Sequence, residues 1–182
     1  MAVLRELFRR SPASFAGRFS AFADVSIEPR PVQDGGPPLW VGGRSPAALR
    51  RAGRLGDGWL PIWVSAGRYA AGWDTVRHEA EAAGRDPDGL VPAAVVPALV
   101  GPDGERARAE IRAYLGRRYG SGFSAAAIER YCVAGTAAEC AAQARAFAGA
   151  GVRHLVLNPA VEPARLLEQV ERLATVLTAV SA

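Results

Sequence analysis

The chain reads as an α/β protein built from parallel βα units. Three observations predict this. Short apolar runs that stop at glycine or a turn alternate with segments of helical composition along residues 39–182. The longest apolar run, Leu90 to Val100, carries no charged or hydrogen-bonding side chain, which suits a strand covered on both faces of a parallel sheet. Gly42 and Gly43 then lead from one apolar run straight into a strong helix start at Ser45-Pro46.

The elements follow in order. Met1 to Arg10 is a short amphipathic helix with Val3, Leu4, Leu7 and Phe8 on one face, ended by Ser11-Pro12. Phe15, Phe19, Phe22, Val25 and Ile27 belong to an irregular or hairpin-like segment. Pro29, Pro31, Pro37 and Pro38 make an extended connector that no helix can cross. Residues 1–38 are thus a lead-in, and residues 39–182 hold four βα units within a single domain.

The first unit has a strand over Leu39 to Gly42 and a helix over Pro46 to Leu55. Ser45 caps that helix, and Gly56 is expected to end it in the left-handed conformation. The second strand runs from Gly58 to Ile62. Its helix, Ala66 to Ala83, has Tyr69, Trp73 and Val76 as its apolar stripe, and Gly84 closes it. Asp86-Pro87-Asp88-Gly89 turns into the third strand, Leu90 to Val100. Glu105 to Arg118 is helical, Tyr119 to Phe123 is glycine-rich and expected to be mobile, and Ala125 to Tyr131 is a short helix. Thr136 with Glu139 forms a capping box for a helix running to Ala148, and Gly149 to Gly151 end it. His154 to Leu157 is the fourth strand, with Asn158-Pro159 as the following turn. Pro163 to Val180 is a last amphipathic helix with Leu166, Leu167, Val170, Leu173 and Leu177 at helical spacing.

Composition narrows the function. At 182 residues the chain can bury a substantial core, but it is too short for a complete (β/α)8 barrel with ordinary loops. The net charge of +4 comes from arginine alone, interleaved with Asp and Glu along helices. That pattern describes solvated helix faces and argues against a nucleic-acid partner. Cys132 and Cys140 form no motif and have no local base, so they read as buried small side chains in a reducing cytoplasm. No apolar run is long enough to span a bilayer, and no signal segment is evident. His78 and His154 share no metal-ligand spacing with each other or with any carboxylate cluster, so no metal site is expected.

The chemistry-bearing residues follow the strands. Gly42, Gly43, Arg44 and Ser45 combine glycine amides, a guanidinium, a hydroxyl and a helix N-terminus, which suits a phosphate. The same residues also suit a tight turn with a structural cap. Trp63 and Ser65 follow the second strand, and Asn158 follows the fourth. No acid, base or nucleophile can be nominated.

The stretch PPLWVGGRSPAALRRAGRLGDGWLP, Pro37 to Pro61, closely resembles the luciferase-like monooxygenase family. FAGRFSAFADVSIEPRPVQ (Phe15 to Gln33) resembles the family segment before the fifth barrel strand. Val133-Ala134-Gly135-Thr136 resembles the start of the last helix, and Gly151 to Leu157 the last strand. The resemblance implies the C-terminal half of a (β/α)8 barrel of the TIM type, starting inside the fourth helix at Met1 to Arg10. It implies a flavin-type cofactor, coenzyme F420 in preference to FMN. The cofactor's phosphate tail or ring edge would lie against Gly42, Gly43, Arg44 and Ser45. Trp63 would wall its pocket, and Ser65 would bond a phosphate or ribityl group. The implied activity is hydride transfer or oxygen activation on a small organic substrate. The missing first four strands imply a homodimer or association with another barrel half. They also leave open a second reading, a non-catalytic half-barrel that binds cofactor or self-associates.

Overall fold

The computed structural model describes residues 1–120 and 122–181. The mobility expected around Ser121 therefore falls outside the described residues. A helix, α1 (Ala2–Arg9), precedes an antiparallel hairpin, β1 (Ala13–Ala16) and β2 (Ala21–Val25). The βα series follows: β3 (Trp40–Val41), α2 (Pro46–Leu55), β4 (Gly58–Trp59), α3 (Ala66–Glu81), β5 (Val91–Val100), α4 (Gly104–Tyr119) and α5 (Ala125–Tyr131). Then come β6 (Val133–Gly135), α6 (Ala137–Gly149), β7 (His154–Pro159), a 3₁₀ turn at Pro163–Arg165, and α7 (Leu166–Ser181).

The sheet is parallel throughout, as expected of βα units. The long apolar strand β5 is its hub. Its first residues pair with β4, its middle with β7, and its end with β6. An isolated bridge from Ile62 to Val95 carries the β4 side further.

Register partners in a parallel pair share a face. Val41, Trp59, Ala94 and Val96 therefore lie together on one face, and all are buried beneath the helices. Trp40, Val95, His154, Val156 and Asn158 lie on the other face. Trp40 is 37% exposed there and Val156 45%. The outer face holds the main core, where Val76, Ala80 and Tyr69 of α3 and Val176 of α7 are fully buried. Each of the two buried valines contributes about 1.5–3 kcal/mol. A second apolar cluster joins Leu99 to Ile111, Leu115 and Ile128 between β5, α4 and α5. The expected stripe of α3, Tyr69, Trp73 and Val76, is buried as a unit.

Three local expectations are corrected. Gly56 is extended, with φ −84° and ψ 165°. Space, not handedness, requires glycine there, because a Cβ would sit 2.7 Å from the Ala52 carbonyl oxygen and 3.1 Å from Val41. Val133–Gly135 is a strand on the end of β5, so the segment does more than open a helix. Asn158 and Pro159 belong to β7, paired with Pro97 and Ala98, and are not a turn. Pro159 can sit there because β7 is paired on β5 alone.

The N-terminal rim of the sheet is closed by a polar network. Asp57 accepts the Leu39 N–H at 2.7 Å and an Arg5 Nη2 donor at 2.7 Å. Arg85 lies 3.9 Å from the same carboxylate and also donates to the Gly53 and Gly56 carbonyls. Burial pushes the Asp57 carboxyl up, but the Leu39 amide and the two guanidiniums outweigh it and hold it below its ordinary value. No helix among the described residues is long and apolar enough to cross a membrane.

Candidate active site

The opposite rim is different. Chain direction changes abruptly after β3, where Gly43 takes φ +92°, a region that glycine enters without strain. Ser45 then caps α2, its Oγ accepting the Ala48 N–H at 3.2 Å, with Pro46 in the first turn. Trp59 fixes this turn from below. Its indole N–H donates to the Gly43 carbonyl at 2.9 Å, while its ring stacks on Tyr69 at 4.9 Å. Among the described residues, the amides of Gly43, Arg44 and Ser45 and the Ala47 N–H of α2 donate to no protein acceptor. These groups gather at one helix N-terminus.

The turn opens onto a cleft of about 830 Å³ between the N-terminal halves of α2 and α3. That volume lies within the range of about 300–1,000 Å³ typical of small-molecule sites. Of the sequence candidates, Gly43, Arg44, Ser45 and Trp63 line it. Gly42 and Ser65 lie outside the lining. Ser65 instead caps α3, its Oγ accepting the Arg68 N–H at 3.4 Å. Arg68 and Thr75 of α3 do line the cleft, and sequence reasoning missed them. Their one signal was position: Arg68 follows the Ser65 cap by three residues, within the first turn. No acidic side chain lines the cleft, so Arg44 and Arg68 set its sign. Arg68 is shared. It also reaches the Tyr131 hydroxyl, which Arg130 above all, and Arg68 further, draw below the ordinary tyrosine value.

Trp63 forms the boundary of this cleft. Its backbone sits at φ +60°, a left-handed conformation unusual for a bulky residue. Such a conformation costs about 1–3 kcal/mol and persists only where its surroundings enforce it. Arg44 supplies part of that enforcement by donating Nη1 to the Trp63 carbonyl. The Trp63 ring packs on Phe123 at 5.0 Å and meets Tyr119 edge-on at 5.8 Å. On its far side lies a smaller cleft of about 180 Å³, with Tyr114, Arg118 and Asn158 around it.

The other candidates fall away from both clefts. His78 is exposed on α3. His154 opens β7 at the N-terminal rim, 5.6 Å from the Trp40 ring. Cys132 and Cys140 are free and buried. Burial pushes their thiols up to about 12 and about 11, the latter aided by Glu139. Thiols held protonated in this way are poor nucleophiles. The described residues contain no group of three or more His, Cys, Asp or Glu able to hold a metal.

Comparison with known proteins bears on the family and the fold. The family model for luciferase-like monooxygenases covers residues 1–154. The chain is 35% identical over 107 residues to the phthiodiolone/phenolphthiodiolone dimycocerosates ketoreductase of Mycobacterium kansasii, covering 57% of this chain and 29% of that protein. It is 31% identical over 115 residues to the F420-dependent hydroxymycolic acid dehydrogenase of Mycobacterium tuberculosis, covering 60% of this chain and 29% of that protein. An F420-dependent secondary alcohol dehydrogenase, solved with an F420-acetone adduct, superposes with a TM-score of 0.84 at 20% identity. That match covers 98% of this chain but 59% of that one. The coenzyme F420 dependent tetrahydromethanopterin reductase of Methanopyrus kandleri gives 0.74 at 18% identity, covering 96% of this chain and 58% of that chain. The chain thus spans under a third of these curated relatives and somewhat more than half of the solved chains, and its sheet is part of a (β/α)8 barrel. With the family match spanning most of its length, the chain belongs to the luciferase-like monooxygenase family.

Proposed function

We propose that the chain carries the phosphate-holding part of a deazaflavin or flavin site in an oxidoreductase, with F420 preferred over FMN. One observation carries this reading: four free amides, Arg44 and Arg68 converge on a cleft with no acidic side chain. The donor set suits a phosphate on chemical grounds, and Gly43 keeps the approach clear. A Cβ at Gly43 would come 3.1 Å from Ala48 and would require a strained φ. The F420 dependence of the mycobacterial dehydrogenase and of the solved alcohol dehydrogenase and reductase supports the F420 preference.

In this reading Gly43, Arg44 and Ser45 bind the phosphate. Ser45 still has its O–H to donate while its oxygen caps α2. Trp63 walls the cofactor, and Gly42 shapes the turn beneath. Ser65 contributes by holding the α3 terminus that presents Arg68. When bound, a reduced deazaflavin supplies a hydride and a reduced flavin can also activate dioxygen. The chain's own residues bind, orient and exclude water. The reacting groups and the substrate pocket would lie on the part of the barrel outside these residues. The exposed Trp40 and Val156 suit packing against that part.

Fluorescence titration with F420 and, separately, FMN tests the reading. Submicromolar binding lost in Gly43→Val and Arg44→Ala is the expected result. Absence of binding by either cofactor overturns it and favours a non-catalytic half-barrel, for which light scattering would show a dimer at micromolar concentration.

A further inference from the structure

Helix formation does not account for one glycine of α3. Glycine is unfavourable inside a helix relative to alanine, and α3 carries two, Gly67 and Gly72. Nothing lies within 4 Å of a Cβ built on Gly67. Gly72 is different. A Cβ there would sit 2.5 Å from Trp59 Cη2 and 3.1 Å from Cζ3. The Trp59 ring cannot yield easily, being 1% exposed and stacked on Tyr69 with 22° between the ring planes. Lower down, α3 is wedged against α2, where a Cβ at Gly53 would come 2.4 Å from the Val76 carbonyl oxygen. The helix therefore has little room to back away from the indole.

We infer that Gly72 is a positioning residue for the amides after β3, acting through the Trp59 indole. Cη2 and Nε1 stand at opposite ends of that ring system. Gly72 admits the Cη2 end, and the Nε1–H then reaches the Gly43 carbonyl at 2.9 Å. The Gly43–Arg44 peptide is trans, so its C=O and N–H point in opposite directions. Holding the Gly43 carbonyl on Trp59 therefore turns the Arg44 N–H away from the indole, where it meets no acceptor among the described residues. A side chain at position 72 would drive the indole off this carbonyl and free the peptide plane to rotate. A residue two turns along α3 from the Ser65 cap thus sets the direction of a donor in the β3–α2 turn. The use of that donor for a phosphate rests on the function proposed above; the coupling of Gly72 to the turn does not.

Heteronuclear NMR of the chain without cofactor tests the coupling, and fluorescence titration with F420 or FMN tests its use. In the unmodified protein, the Gly72 Hα protons should show a nuclear Overhauser contact to the Trp59 ring, and the Trp59 indole N–H should exchange slowly. Gly72→Ala should speed that exchange, shift the Arg44 amide and weaken the cofactor about fivefold, the worth of one neutral hydrogen bond. Gly67→Ala should change none of these. Trp59→Phe shortens the ring, so Gly72→Ala in that background should weaken the cofactor no further. A Gly72→Ala chain that fails to fold but recovers on adding Trp59→Phe supports the same clash. Moved indole and Arg44 signals in Gly72→Ala, with no F420 or FMN binding by the native chain, would sink the phosphate reading and leave this positioning role standing. Unchanged indole exchange and Arg44 shift in Gly72→Ala would overturn the inference. So would further loss of affinity in the Trp59→Phe background, or an unfolded Gly72→Ala chain that Trp59→Phe does not rescue.

Discussion

The two rims of one short motif face opposite fates. Pro37 to Pro61 crosses the sheet twice and contributes to both. At the N-terminal rim, Asp57 gathers the Leu39 amide, Arg5 and Arg85, so its strong hydrogen-bonding groups are matched. At the C-terminal rim, the Gly43–Ser45 amides and Ala47 find no protein acceptor, and Trp63 is held in a costly conformation. Matched groups stabilise a fold, while unmatched ones that face a cleft are poised for a ligand. In (β/α) barrels this division is general, with stability at the base and chemistry at the strand ends. Here it can be read from hydrogen-bond partners alone.

Mutations can break or sharpen that contrast. Trp59 serves both rims, stacking in the core and holding the Gly43 carbonyl. Trp59→Ala should cost about 3–5 kcal/mol in urea unfolding and abolish F420 binding, the largest effect in the motif. Asp57→Ala strands the Leu39 N–H and removes the charge partner of Arg5 and Arg85, and should cost about 2 kcal/mol, with cofactor affinity unchanged. Arg44→Ala should do the reverse, costing less than about 1 kcal/mol of stability and more than about tenfold in affinity. Equal losses of both kinds in both variants would erase the distinction.

Acid should act on the base and not on the cradle. The Asp57 carboxyl is lowered in the folded state relative to an unfolded value of about 3.9. Its contribution is therefore present above about pH 4 and is lost as pH falls through the lowered folded value. Chemical denaturation between neutral and acid pH should show a steeper fall for the native chain than for Asp57→Asn. The smallest effect separates the two serine caps. Ser45→Ala and Ser65→Ala should each cost about 1 kcal/mol, but Ser45→Ala should weaken the cofactor more. The opposite ranking would move the phosphate toward α3.

Much of this was legible from residue order. Ser45-Pro46 fixed the start of α2, and the apolar run fixed β5, because caps and periodicity act locally. Thr136 and Glu139 form the expected capping box, with the Thr136 N–H donating to Glu139 at 2.7 Å. What stayed hidden depends on distant partners. Gly56 is set by Val41 across a turn, and Asn158-Pro159 joins a strand because β5 offers it a partner. Arg68 enters the cleft only through packing of α3 beside α2, and no local signal marks Trp63 as left-handed.

The central claim is that the open amides after β3 receive the cofactor's anionic tail. A backbone amide shift map during F420 titration tests it most directly. The account predicts that Gly43, Arg44, Ser45 and Ala47 shift first and furthest, while Leu39 and Asp57 stay still. Saturable binding that moves the Leu39–Asp57 rim and leaves the glycine turn untouched would contradict it.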